Sequence, residues 1–268
     1  MKNEVPIFEY HDLSDKLTNI KAFHSPYVLL KTKFFEQMRW LYQNEYQTLT
    51  IDDLLSCNVP EKSVILTFDD GHISNYKLAF PILKKFNFVA TFFVVPQWVG
   101  KRDYVMREHI LEMFAHGMKF ESHSLTHPYI LSLTTEEMTR ELRESKEKIQ
   151  DMLDGEVNHF SVPYGFYDRC LVQHVKEAGY KTIVTEDFGY HRIKSQLFYI
   201  LPRFIMKSNI HPTKFKQITE GTKIKLLNDY SKAFCLEYLK KLLGFRIYIR
   251  VKSLMLRANS LQIKAGYR

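Results

Sequence analysis

The chain is poor in the residues that build covalent or irregular scaffolds. Its three cysteines, Cys57, Cys170 and Cys235, lie far apart and form no CxxC pair. That pattern argues against a disulfide framework and fits a reducing compartment. Glycine (10) and proline (9) are scarce, and neither an internal period nor a low-complexity run occurs, which argues against repeat or long disordered segments. No run of about 18 apolar residues is present, so no membrane-spanning helix is expected. Met1-Lys2-Asn3-Glu4 leads straight into an apolar run without the marks of a secretory signal, and the expected location is cytoplasmic.

Acidic residues are also missing from one end. Residues 240–268 contain eight Lys and Arg and no Asp or Glu, whereas residues 1–239 hold 30 bases and 30 acids. The net charge of +8 therefore belongs to the last 29 residues. The chain reads as a neutral body, residues 1–212, followed by a basic extension, residues 213–268. A basic tail without Gly-rich or recognition-helix features does not point to nucleic acid.

What is abundant is alternation. Short segments at residues 5–10, 64–68, 89–95, 118–122, 158–162, 181–184 and 198–201 read as strands, 64–68 being apolar and β-branched. Between them lie helix-period segments at 31–44, 75–86 (with Pro81 as a kink or restart), 107–116, 135–153 and 169–178. Thr134 and Glu137 have the spacing of a capping box at the start of the fourth. About seven strand–helix units imply an α/β fold, a distorted or incomplete (β/α)7 barrel with its chemistry at the C-terminal strand ends. Tyr10-His11, Asp69-Asp70, His123 and Pro163-Tyr164 all fall at such ends.

Thr67-Phe68-Asp69-Asp70-Gly71 sets two carboxylates at a strand-to-loop bend, and His123-Ser124-Leu125-Thr126-His127 sets two imidazoles four residues apart. In a helical turn the latter spacing would put both rings on one face. One carboxylate with two histidines leaves an open position, the ligand set of a catalytic Zn²⁺ site, and the set also suits Fe²⁺ or Co²⁺. The remaining carboxylate is free to act as a base toward water acidified by the ion.

These motifs, in this order, resemble the polysaccharide deacetylase family with a NodB-homology domain (carbohydrate esterase family 4). The resemblance runs from about residue 5 to residue 204, and takes in Val162-Pro163-Tyr164-Gly165 as a third motif. It implies Asp69 as general base, Asp70, His123 and His127 as metal ligands, and the backbone N–H of Tyr164 as an oxyanion donor. Two departures stand out. Many members carry an Arg two residues before the third motif's Pro, where this chain has Ser161; Arg203, in Leu201-Pro202-Arg203-Phe204, is the expected substitute. The family's usual general-acid His has no clean counterpart; His211 is the candidate taken, with His191, His11 and a protonated Asp69 as others.

The function expected is metal-dependent removal of an N-acetyl group from an amino sugar of a cell-envelope polysaccharide or its precursor. De-N-formylation or de-O-acetylation of a lipid-linked sugar shares the same metal chemistry, and a non-catalytic glycan-binding protein is the reading of another class. The partners expected are an acetylated glycan or lipid-linked precursor. The tail interleaves its bases with apolar residues 239–256, as a helix lying on an anionic membrane surface would.

Overall fold

The computed structural model describes residues 4–16, 25–56, 59–192, 198–221 and 247. Pro6 splits the first apolar run into β1 (Glu4–Val5) and β2 (Ile7–Tyr10). Then come β3 (Asp12–Ser14), β4 (Val28–Leu30), α1 (Lys31–Gln43), β5 (Gln47–Leu49), α2 (Ile51–Leu55) and β6 (Ser63–Phe68). A π-helical turn at Asn75–Ala79 runs into α3 (Phe80–Phe86). Pro81 has no N–H to return to the carbonyl four residues back, which accounts for the widened turn before it. The chain continues through β7 (Thr91–Val94), α4 (Arg107–Ala115), β8 (Lys119–Ser122), α5 (Thr135–Leu153), β9 (His159–Ser161), α6 (Arg169–Glu177), β10 (Thr182–Val184), β11 (His191–Arg192), β12 (Tyr199–Leu201), β13 (Phe204–Ile205) and α7 (Pro212–Glu220). The capping box at Thr134 is present: its hydroxyl accepts from Glu137 N, and Glu137 accepts from Thr134 N.

The main sheet runs β12-β10-β9-β8-β7-β6-β2-β13, every pair parallel, with β5 added on β6. Its two end strands are successive pieces of one segment, joined only by Pro202 and Arg203. A sheet whose first and last strands are two residues apart must curl. The result is a barrel of seven parallel staves, the seventh broken at Pro202–Arg203, with helices outside.

Alternation along each stave sorts the side chains. Phe8, Tyr10, Leu66, Phe68, Phe92, Phe120, Phe160 and Ile183 belong to the outer core, under the helices. Val5, Ile7, Ile65, Phe93, Val184 and Leu201 form the inner core, which Ile51 and Leu54 of α2 join. Phe68 stacks on Tyr10 and Phe92 at 5.2 and 4.8 Å between centroids. The same alternation puts Glu9, Thr67, Asp69, Ser161 and Arg203 inside the barrel, toward the C-terminal strand ends.

The expected boundary at 212/213 falls inside α7. Phe215 of this helix stacks on Phe8 at 4.9 Å, and Tyr190 Oη donates to Ile218 O, so the barrel's packing extends through residue 220. Beyond Gly221, apart from an exposed Ile247, the basic extension lies outside the described residues. Among the described residues, no helix is long and apolar enough to cross a membrane.

Candidate active site and metal centre

Asp69 and Asp70 follow β6 directly. Asp69 keeps the inward direction of Ile65 and Thr67, while Asp70 turns into the mouth through a left-handed backbone (φ 74°) and hands over to Gly71 (φ 71°). A Cβ on Gly71 would come 3.1 Å from Val94 Cγ1, so the second left-handed residue has to be glycine.

His123 and His127 converge, but not as one turn of helix. The segment after β8 is a loop in which Ser124 and His127 both have positive φ (63° and 61°). Glu141 of α5 holds it: its buried carboxylate accepts from Leu125 N (2.9 Å), Thr126 N (2.9 Å) and Thr126 Oγ1 (2.7 Å). Ser124 Oγ accepts from His127 N at 2.9 Å. Non-glycine residues in left-handed backbone cost energy and persist where the surroundings over-determine them. Tyr164 is another (φ 62°), in the turn Pro163–Gly165 after β9, and its ring lies 4.7 Å from that of His127.

Asp70 Oδ1 is 3.5 Å from His123 Nε2 and 3.5 Å from His127 Nε2. It is buried and, among the described residues, has no hydrogen-bond partner. Ligands 2.0–2.1 Å from one tetrahedral ion sit about 3.3 Å apart, so the spacing fits a shared cation. His123 Nδ1 lies 2.9 Å from Ser161 O, a carbonyl that can only accept, which leaves Nε2 as the ligating atom. Burial alone would raise the Asp70 pKa, yet the surrounding imidazoles hold it well below the carboxylate range. Burial, reinforced by His123, pushes His127 down to about 4. Burial also opposes charge on His123, but Asp69 and Asp70 outweigh it and raise its pKa. These three side chains fit a divalent ion.

Asp69 is held separately. Arg203 donates from Nη1 to Oδ1 and from Nη2 to Oδ2, both at 2.7 Å, and Ser161 Oγ donates to Oδ2 at 3.0 Å. Arg203 is 1% exposed and further anchored by Thr67 Oγ1 (3.1 Å), Thr185 O (3.2 Å) and the Phe93 ring beneath it. The expected substitution of Arg203 for a cation at position 161 has this geometry: Ser161 leaves the room that the guanidinium enters from the broken seventh stave. Burial would raise the Asp69 pKa, but Arg203, with His123, keeps it below the usual range. Asp69 Oδ2 lies 3.9 Å from His123 Nε2, within reach of a water shared with the cation site.

His211 is not part of this cluster. It is exposed and serves as N-cap of α7, its Nδ1 accepting from Thr213 N at 3.3 Å. A His followed by Pro212 is positioned to start a helix, and that local role engages its Nδ1. The His191 side chain lies outside the described residues. His11 does come in: its ring nitrogen, a Glu9 oxygen and an Asp69 oxygen all lie within 4.8 Å of one another.

The chain's likenesses agree with this geometry. The polysaccharide deacetylase family model matches residues 56–183. YxkH of Bacillus subtilis, classed with the polysaccharide deacetylases, is 31% identical over 225 residues, covering 82% of this chain and 77% of that one. The chain belongs to the polysaccharide deacetylase family. A poly-β-1,6-N-acetyl-D-glucosamine N-deacetylase of Staphylococcus aureus is 25% identical over 175 residues, 58% of this chain and 60% of that protein. The Streptococcus pyogenes deacetylase PplD, solved with acetate, superposes with a TM-score of 0.73 at 26% identity, over 81% of this chain and 98% of that one. The family consists of metal-dependent hydrolases, which the donor set at Asp70, His123 and His127 suits.

Proposed function

We propose that this polysaccharide deacetylase removes N-acetyl groups from an amino-sugar polymer of the cell envelope or from its precursor. The observation that carries the reading is an ionised aspartate, locked by Arg203, beside a separate His₂-Asp donor set. The likeness to the S. aureus poly-β-1,6-N-acetyl-D-glucosamine N-deacetylase favours a β-linked N-acetylglucosamine polymer. Asp70, His123 and His127 would hold a divalent ion, most simply Zn²⁺, whose chemistry there would be to acidify a water and polarise the acyl carbonyl.

The protein's own groups do the rest. Asp69 accepts the proton of the attacking water, and its two bonds from Arg203 keep it ionised and aimed. The Tyr164 N–H, in its left-handed turn, donates to the oxygen that becomes negative in the tetrahedral intermediate. Collapse of that intermediate breaks the C–N bond, and the leaving nitrogen takes a proton. Asp69, having just gained one, is placed to give it; His11 is the neighbouring alternative. The end of the basic extension, residues 240–268, by its mixture of eight bases with apolar residues, would hold the enzyme at an anionic membrane surface.

The test is acetate release from β-1,6- and β-1,4-linked N-acetylglucosamine oligomers by zinc-loaded protein, beside Asp69→Asn and His123→Ala. Release by the wild type alone is expected. Equal release by Asp69→Asn would remove the assigned base. For the extension, protein ending at Glu237 should pellet less with anionic liposomes than the full chain; equal partitioning ends that part of the proposal.

A further inference from the structure

One buried carboxylate has no part in the reaction just described. Glu9 is 0% exposed, on the inner face of β2, in a run whose neighbours Ile7, Phe8 and Tyr10 are apolar. Among the described residues, neither carboxylate oxygen has a hydrogen-bond partner. Oε2 lies 3.0 Å from Arg203 Nη2, the nitrogen that also donates to Asp69 Oδ2 and Ser161 Oγ. Oε1 lies 3.6 Å from His11 Nε2. A glutamate is rarely kept in such a place unless its charge is used.

The charges explain what it does. Arg203 carries one positive charge and faces two carboxylates. If it belonged to Asp69 alone, the pair would be neutral and closed, and Asp69 would be a poor proton acceptor. With Glu9 on the same nitrogen, the guanidinium is divided. We propose that Glu9 is a positioning residue, which acts through Arg203 and His11 to keep the base from being fully neutralised and to fix the His11 ring beside it. This rests on the reading of Asp69 as the base.

The groups facing Glu9 are Arg203 from the broken stave, Asp69 after β6, His11 after β2 and Glu186 after β10. Burial raises its pKa to about 7, against the pull of Arg203 and with the push of Asp69. Glu9 therefore exchanges its proton near neutrality, where ordinary glutamates are already ionised.

Glu9→Gln keeps the shape and removes the charge. Zinc-loaded variant and wild type are compared in two ways. In acetate release, kcat should fall at least tenfold with KM within twofold and zinc content unchanged, and an ionisation near neutral pH should vanish from the pH profile. In thermal melts, the wild type should lose stability relative to the variant as pH rises from about 5 to 8. That is the direction for an acid whose folded-state pKa lies above its unfolded one. Wild-type kcat with an unchanged profile, or parallel melting curves, overturns the proposal. A wild type that releases no acetate overturns the proposed function instead, and the melts still decide on Glu9. Should Glu9→Gln not fold, Glu9→Asp, which withdraws the charge from Arg203, should lower kcat while retaining the ionisation; full activity would refute the role.

Discussion

Replacing Arg203 by Met removes a buried charge while keeping an unbranched side chain in the same space. In the native barrel this guanidinium gives Asp69 two bonds of 2.7 Å and reaches Glu9 at 3.0 Å. Breaking such a pair from one side typically costs about 3–5 kcal/mol, because the remaining carboxylates stay buried without a counter-charge. They would respond by taking up protons. The Asp69 pKa, now held down, would be pushed up by its burial. The linkage has a definite sign. In the wild type, Asp69 contributes stability that is present above its unfolded pKa and lost as pH falls through the folded one. In the variant that contribution is absent, and the base is protonated at neutral pH. Deacetylation at pH 7 should fall by about 10²–10³, the worth of a general base, and recover as pH rises. Metal content should not change, since the hydrogen bonds of Arg203 go to Thr67, Asp69, Ser161 and Thr185 rather than to the three ligands. Acetate release across pH 5–10, with zinc measured on the same samples, is the assay. A variant with the wild-type profile would show that Asp69 needs no cation, and the account of the broken stave would fail.

Four further outcomes follow from other parts of the barrel. Glu141→Ala strips three hydrogen bonds from the loop carrying His123 and His127; at about 1.5–3 kcal/mol for a bond to a charged group, zinc affinity measured with a competing chelator should drop at least tenfold. Gly165→Ala sets a Cβ 2.6 Å from the Glu186 side chain at φ +68°, so the Tyr164 turn must shift, and kcat should fall with little loss of zinc. Zinc binding to metal-free protein near pH 6.5 should release a proton, chiefly from His123, whose pKa is raised; calorimetry in buffers of different ionisation enthalpy reads the count, and no release would contradict the assignment. At the opposite end of the barrel, Glu121 accepts from Asn158 N and His159 N, so Glu121→Ala leaves two buried N–H groups unmet and should cost about 2–4 kcal/mol in denaturant melts.

The parts of the site that were legible in the sequence are those in which chemistry and position are local. Thr67 to Gly71 and His123 to His127 each carry their ligands within five residues, and the first follows a strand whose apolar, β-branched run announces itself. The manner of convergence was not legible. An i,i+4 pair suggests a helical turn, whereas here a buried Glu141, fourteen residues past His127, pins a left-handed loop. His211 misleads for a related reason: its nearness in sequence to the last strand says nothing of the helix cap that Pro212 makes of it. Arg203 could be named only through the vacancy at Ser161, because 134 residues separate it from Asp69.

Glu9 was hidden by its own strand. Residues 5–10 read as one apolar run, and a run buried on both faces gives no alternation from which to pick out an inward acid. The inner face becomes visible only once the sheet curls and separates Ile7, Glu9 and His11 from Phe8 and Tyr10. The same closure brings the two ends of the sheet together at Pro202–Arg203, where two residues unpaired in the sheet are enough to turn a guanidinium into the barrel. Seven staves with one broken are thus a requirement of the chemistry as well as a description of the fold. An unbroken seventh strand would give residue 203 a fixed place in the ladder, and a fully apolar β2 would give the guanidinium only one carboxylate to hold. The base, its cation and the second carboxylate come from three neighbouring staves, β6, β12–β13 and β2, which meet only because the sheet closes there.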